Sequence, residues 1–524
     1  MIAIANPVGN FPLNDDWMYA RSVYYLITQG QYKVTESYSP VLITQVGWGT
    51  LFCCVKGFSF TSLRISTLVL GLIGIYFFYF LVNNLTQNRV LAFFSALLIL
   101  VNPLYFSLSS SFMTDVPFLS LVMIAMFCFF RAIQTHQRKY IIIATVFSIL
   151  ATLIRQLGIV IPLAYAMVCW LENGQAAKQK IKHFIPFILT VLVLMIALIW
   201  LNNVVHSGIH FFQSGSIRPL FKSIIPKFYI RTGYVLIYSG IFLFPLLLSI
   251  TRKSFKRLSF INRKALAVFV ICIIPSFVCV YNKFPCNNAV NNGFIGPHLL
   301  RDAYVLHVLE LYTFPPLVLL TIFLFGAVGA VMIIINLWSV GEIFFKEYKN
   351  RSLSTLTINS RLLFITLCLV GYSVLIFPPD LYIDRYILPC IPLIWMIICT
   401  REIERVKAPF LVFAAIYISV ITLFTTLSTH DWLEWNRARL SGVNYLTQKM
   451  RISADKIDAG YEQNGWLLGG EFSKHTDKTW WFVDDNEYML AFRNVPGYQM
   501  IKEFKYTNYF PCEQRSLLVL QKRK

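Results

Sequence analysis

The sequence predicts an α-helical polytopic membrane protein, with about 12–13 transmembrane helices and a small C-terminal α/β soluble domain on the outer face. Three observations lead there. Of the 524 residues, 57% are hydrophobic and only 14% charged, against about 25% charged in an ordinary soluble domain, which excludes a soluble enzyme. Long uncharged runs recur between positions 63 and 428, separated by Lys, Arg, Pro or polar clusters. From 429 onward the runs stop, and acids, arginines, Trp and Gly take their place. The net charge of +21 does not indicate nucleic acid, because so few charged residues cannot coat a surface and must lie in the loops between apolar runs.

Residues 1–62 read as an outer-face loop with an acidic motif and juxtamembrane helices. Residues 17–29 are amphipathic, and 41–57 are apolar but interrupted by Gly47, Gly49 and Lys56. A bilayer core about 30 Å thick needs roughly 20 apolar residues per helix. Runs near 63–82, 90–108, 116–131, 140–154, 156–171, 183–204, 232–250, 265–281, 314–338, 362–379, 386–399 and 409–428 supply them, making 63–428 the membrane domain. Lys and Arg concentrate on the cytoplasmic side of a bilayer. Here they cluster in alternate loops, at Arg131, Arg138 and Lys139, at Lys178 to Lys182, at Arg252 to Lys264, at Lys346 to Arg351, and at Arg401 to Lys407. The opposite, outer face then holds 1–62, 109–115, 205–231, 282–313, 380–385 and the tail 429–524. Both chain ends lie outside in this count, so an inward-starting helix ahead of Met1 is expected to carry residues 1–62 across. In the tail, 432–450 reads as a helix, and 480–483, 498–506 and 516–521 as strands. The eleven Cys form no C-x-x-C pair, so neither a disulfide framework nor a zinc ribbon is expected.

The outer segments carry the acids and arginines that bear on chemistry. Asp15 and Asp16 are adjacent and can supply a general base with an orienting partner, although Asn14-Asp15 also fits a helix N-cap. Asp115, in Met113-Thr114-Asp115-Val116-Pro117, stands at membrane depth, where an acid is costly and usually functional; a helix cap with Pro117 in the first turn is the alternative. Arg155, followed by Gln156, ends an apolar run and offers a planar fork suited to phosphate, or a chain that snorkels to headgroups. Asp384-Arg385-Tyr386 places another Arg at the rim, able to steady an anionic leaving group or to pair locally with Asp384. His206 and His210 have i, i+4 spacing but no accompanying acid or Cys, so no metal site is expected there. Walker, G-x-G-x-x-G, H-E-x-x-H and G-x-S-x-G motifs are missing from the sequence.

In order and sidedness these features resemble the GT-C superfamily of polytopic glycosyltransferases, in the branch of protein O-mannosyltransferases and bacterial lipid A aminoarabinose transferases (glycosyltransferase family 39-like). The resemblance rests on Asp15-Asp16, Tyr38-Ser39-Pro40, Ser62-Leu63-Arg64, Asn102-Pro103, Met113 to Pro117, Leu153-Ile154-Arg155-Gln156 and Asp384 to Pro389, and in the tail on Asp458-Ala459-Gly460-Tyr461-Glu462-Gln463-Asn464-Gly465-Trp466. It implies a membrane glycosyltransferase that takes a sugar from a polyprenyl-phosphate donor to an acceptor hydroxyl of a lipid, glycan or protein on the outer face, with inversion. It also implies Asp15, Asp16 and Asp115 as catalytic residues and Arg155, Arg385 and Arg64 as donor-phosphate ligands, with Tyr38, Gln156, Asp384 and Tyr386 as further site residues. No cofactor is required and no catalytic metal is expected; a divalent cation, if used, would be held by Asp115. The plasma (inner) membrane, with the site facing the periplasm, is the expected location. The competing reading is a transporter or flippase of lipid-linked sugars, which would place charged or Gly/Pro-broken positions mid-helix and show paired halves.

Overall fold

The computed structural model describes all residues except 35–40, 172–176, 204–216, 282–283, 285–314, 351–355, 380–381, 402–407, 469–482, 484–485, 511 and 524. Tyr38, His206, His210 and nearly all of the loop 282–313 expected on the outer face therefore lie outside the described residues, as does most of the strand expected at 480–483.

The chain opens with helices α1 (Ile2–Ala5), α2 (Asp16–Gln29) and α3 (Ile43–Lys56). The membrane domain continues through α4 (Phe60–Thr86), α5 (Arg89–Leu100), α6 (Pro103–Ser109), α7 (Asp115–Thr135), α8 (Arg138–Thr152), α9 (Val160–Leu171), α10 (Ala177–Lys182), α11 (Ile185–Asn203), α12 (Ile217–Arg257), α13 (Phe260–Tyr281), α14 (Pro316–Asn350), α15 (Leu356–Ile376), α16 (Cys390–Cys399) and α17 (Ala408–Asn444). Among the described residues each apolar run of the sequence falls mostly on helix. Among the described residues seven helices are long and apolar enough to cross a bilayer, and α5 with α6 makes an eighth if the bent pair is one span. The protein is a multi-pass membrane protein. Shorter apolar helices, on α9 and α15, pack among these. All ten residues of α16 are buried, so it threads the interior of the bundle.

Local chemistry explains the breaks. Between α5 and α6 the axis turns by 62° at Asn102-Pro103, where proline has no N–H to continue the ladder and the Asn102 side chain instead accepts the Leu104 N–H at 2.9 Å. Helices α12 and α14 touch backbone to backbone at Gly240 and Gly329; a Cβ on Gly240 would lie 2.4 Å from the Gly326 carbonyl oxygen. Such contact needs small residues and is a common way for membrane helices to pack.

The tail adds β1 (Ile457–Asp458), α18 (Tyr461–Leu468), β2 (Tyr488–Ala491), β3 (Tyr498–Tyr509) and β4 (Cys512–Lys522). Its sheet runs in the order β1-β2-β4-β3, with β1 parallel to β2 and the other pairs antiparallel. The run 409–428 and most of the tail helix expected at 432–450 form one continuous helix, α17, which carries the tail directly on the membrane domain. Asp431 fixes that junction: its carboxylate accepts the Tyr509 N–H at 2.7 Å and the Phe510 N–H at 2.9 Å. The core beneath the sheet buries Leu433, Trp435, Leu490 and Val519 together with Phe11 and Leu13 from the other end of the chain. The N-terminal segment thus packs into the C-terminal unit.

Candidate active site

Helix α2 begins at a sharp turn. Asn14 has φ 51°, and Asp15 follows at the N-cap without making a side-chain cap bond. The two adjacent acids consequently face different ways. Asp16 is fully buried, its Oδ1 accepts the Leu13 N–H at 2.7 Å, and its Oδ2 accepts the Phe112 N–H at 3.2 Å. Burial pushes its pKa up to about 7 against the pull of Arg64 and these two bonds. Asp16 ties the turn to the loop before α7. Asp15 instead points away from that turn, where its Oδ2 meets Arg385 Nη2 at 3.1 Å and its Oδ1 lies 3.5 Å from the Tyr461 hydroxyl.

A second acid–arginine pair faces the first. Asp115 opens α7 and is almost wholly buried; its Oδ1 lies 2.9 Å from Arg155 Nη2. The Arg155 guanidinium also donates from Nε and Nη2 to Thr114 Oγ1, at 2.8 and 2.6 Å, so it is held inward and does not snorkel. Arg385 sits in a 3-10 turn, Asp384–Ile387, and pairs with Asp15, not with its neighbour Asp384. Burial works against its charge, but the Asp115 and Asp15 carboxylates outweigh burial and hold its pKa above the ordinary arginine range. The buried Tyr19 phenol, one turn into α2, feels all four groups: burial and the Asp15 charge raise its pKa, while Arg385 and Arg155 oppose this. The two pairs therefore converge on Tyr19 at one end of the bundle, bringing together positions hundreds of residues apart.

Other residues singled out in the sequence surround this cluster or stand behind it. Gln156 begins the 3-10 turn after Arg155. Asp384 is fully buried, and the Tyr386 carbonyl accepts the Tyr372 hydroxyl at 3.2 Å. Arg64, expected as a phosphate ligand, is otherwise engaged: its Nη1 donates to the Pro7 and Gly9 carbonyls at 3.0 Å each, its Nη2 donates to Phe11, and its guanidinium lies 4.3 Å over the Phe11 ring. Full burial under backbone acceptors gives it the work of pinning the N-terminal segment. Thr114 and Tyr461 belong to the site, yet neither was assigned a role in it from the sequence. Both stood within motifs already noted, Met113 to Pro117 and Asp458 to Trp466, but only the fold shows which side chains turn inward. Among the described residues no group of three or more His, Cys, Asp or Glu side chains is gathered to hold a metal ion.

Chemically, the cluster offers one partly exposed carboxylate, a second carboxylate held by an arginine, and two guanidiniums with N–H groups left for an anion. Arg385 Nε has no hydrogen-bond partner among the described residues.

Residues 48–201 match the family model described as dolichyl-phosphate-mannose-protein mannosyltransferase. That is the branch the motifs resemble, and the matched segment contains Arg64, Asp115, Arg155 and Gln156. No curated protein matches the chain. Among solved structures the chain is similar to ArnT from Cupriavidus metallidurans bound to undecaprenyl phosphate, at 11% identity over 99% of this chain and 95% of that one, with a TM-score of 0.44. The apo state of the same protein gives 11% identity over 99% and 96%, with a TM-score of 0.43. The archaeal oligosaccharyltransferase AglB from Archaeoglobus fulgidus, in complex with an inhibitory peptide and a dolichol-phosphate, gives 12% identity over 84% of this chain and 54% of that one, with a TM-score of 0.36.

Proposed function

We propose that the protein is a membrane glycosyltransferase that moves a sugar from a polyprenyl-phosphate donor to an acceptor hydroxyl with inversion at the anomeric carbon. The observation that carries this reading is the convergence of the Asp15–Arg385 and Asp115–Arg155 pairs around Tyr19. The match of residues 48–201 to a polyprenyl-type mannosyltransferase model supports it.

The chemistry follows from the groups present. Asp15 is the less buried of the two adjacent acids and takes the proton of the acceptor hydroxyl as that oxygen attacks the anomeric carbon. One bond forms between acceptor oxygen and sugar; the bond from sugar to phosphate oxygen breaks; its electron pair leaves with the lipid phosphate. Arg385 and Arg155 face the phosphate and neutralise the charge that develops on it, which lowers the barrier more than it strengthens donor binding. Asp115 holds Arg155 and orients the acceptor. Asp16 and Arg64 keep the turn that carries Asp15 in place. A donor anchored by its lipid has to meet the acceptor at the membrane rim, which suits a cluster gathered at one end of the helix bundle. The location that suits this reading is the plasma (inner) membrane with the site facing the periplasm.

The test offers purified protein in lipid a labelled polyprenyl-phosphate sugar and a hydroxyl acceptor, and reads the anomeric configuration of the product by NMR. An inverted product made by the wild type and missing with Asp15→Asn supports the mechanism. A retained configuration contradicts the single displacement.

A further inference from the structure

The acid proposed as base stands at the end of a turn that the C-terminal unit grips. Asn14 adopts the left-handed region, φ 51°, a conformation that asparagine takes more readily than other side-chain-bearing residues but that glycine alone takes without cost. Its N–H donates to Glu462 Oε1 at 3.3 Å. The other carboxylate oxygen of Glu462 accepts Arg439 Nη1 at 2.7 Å, and this ion pair is sealed from water, with side chains 1% and 0% exposed. Arg439 also donates to the Pro12 carbonyl at 3.4 Å. One residue before Glu462, the Tyr461 hydroxyl faces Asp15.

Helix α18, which presents both residues, is itself seated tightly. A Cβ on Gly465 would lie 2.6 Å from the Trp17 indole, and Arg21 donates to the Trp466 carbonyl at 2.6 Å. Asn464 secures the start of α18 by accepting the Ala459 N–H at 2.8 Å.

From this geometry we infer that Glu462 and Arg439 are positioning residues, a buried latch through which the C-terminal unit holds the Asn14–Asp15 turn in the geometry for transfer. The inference rests on Asp15 being the base. It adds that the tail, although far in sequence from every other site residue, completes the site. A buried ion pair is not needed for folding as such, since apolar replacement of both partners is often neutral, whereas removing one strands the other. The latch therefore acts through its contacts with the N-terminal segment, chiefly the acceptor that Glu462 presents to Asn14 beside the weaker bond from Arg439 to Pro12.

Two double variants separate the latch from general stability. R439M/E462L fills the space with apolar side chains and removes the acceptor for Asn14. R439Q/E462Q removes the charges but keeps an amide oxygen in reach of the Asn14 N–H. A displacement of about an ångström at a reacting group costs on the order of a hundredfold in rate. R439M/E462L is accordingly expected to lose at least about tenfold in kcat with donor KM within about twofold, and to speed amide exchange at Asn14. R439Q/E462Q keeps kcat within about threefold, and Asn14→Gly added to R439M/E462L restores part of the loss, because glycine takes the left-handed turn without strain. Unchanged kcat in R439M/E462L overturns the inference, as does equal loss in both doubles that tracks thermal stability. If the wild type transfers no sugar, the reading of Asp15 as base fails by itself; Asn14 exchange then still decides the latch, and unchanged exchange ends it.

Discussion

Asp15→Asn separates catalysis from folding. The change keeps the shape of the side chain and an oxygen facing Arg385, but takes away the charge and the ability to accept a proton. Two effects follow, and their sizes differ. Asp15 is 28% exposed and Arg385 13%, so the ion pair at this partly wet position contributes about 1 kcal/mol or less to stability. Asp15 makes no cap bond whose loss would unravel α2. A general base, by contrast, contributes roughly 10²- to 10⁴-fold in rate, about 3–5 kcal/mol of barrier. Asp15→Asn is therefore expected to keep its thermal midpoint and its elution as a folded species while the single-turnover rate falls at least about a hundredfold. Purified wild-type and variant protein in lipid nanodiscs, mixed with radiolabelled donor and quenched over a time course, gives that rate. A variant that turns over within about threefold of wild type refutes Asp15 as the base, and so does one that loses activity only in proportion to a loss of folded protein.

Other substitutions have distinct signatures. Asp16→Asn keeps more activity than Asp15→Asn, within about tenfold of wild type, since Asp16 serves the backbone; activity abolished by Asp16→Asn alone reverses the two assignments. The same residue predicts a pH effect. Its pKa rises from 3.8 to about 7 on folding, so its contribution to stability is full below pH about 4 and is lost as pH rises through 7. Chemical denaturation from pH 5 to 8 should show wild type losing up to about 3 kcal/mol that Asp16→Asn does not lose; parallel curves contradict this. Arg385→Lys keeps the charge but loses the planar fork, and is expected to lower kcat about ten- to a hundredfold in the transfer assay, with wild-type rates counting against phosphate stabilisation. Asp115→Asn leaves Arg155 an amide oxygen but removes its charge partner, and is expected to reduce kcat by a similar factor in the same assay.

Much of the fold was legible because a bilayer makes local demands. Each span must be apolar over its own length, so runs such as 63–82 and 116–131 announce α4 and α7 without reference to the rest of the chain. The site was legible only by residue type. Asp15 and Asp16 look alike in sequence, and the difference between them comes from the left-handed Asn14, which turns one carboxylate out to Arg385 and the next inward to Leu13 and Phe112. Arg64 and Arg155 both flank apolar runs, yet one meets the carbonyls of Pro7, Gly9 and Phe11 while the other meets Asp115. Nothing near either arginine in the chain distinguishes these fates. The partnership of Asp15 with Arg385 spans most of the protein, and the burial of Phe11 and Leu13 under the C-terminal sheet joins the two ends. Such contacts depend on tertiary packing rather than periodicity. The tail was read as a soluble unit by its loss of apolar runs, while its grip on the Asn14 turn came only from the position of α18.

The most direct test of the central claim is donor consumption. Purified protein in lipid is offered a panel of radiolabelled polyprenyl-phosphate sugars with a membrane extract as acceptor, beside the Asp15→Asn variant. The account predicts that label passes from one donor to an acceptor with wild type alone, leaving unlabelled lipid phosphate behind. Label that stays on its lipid while the lipid changes leaflet contradicts it and makes the protein a flippase.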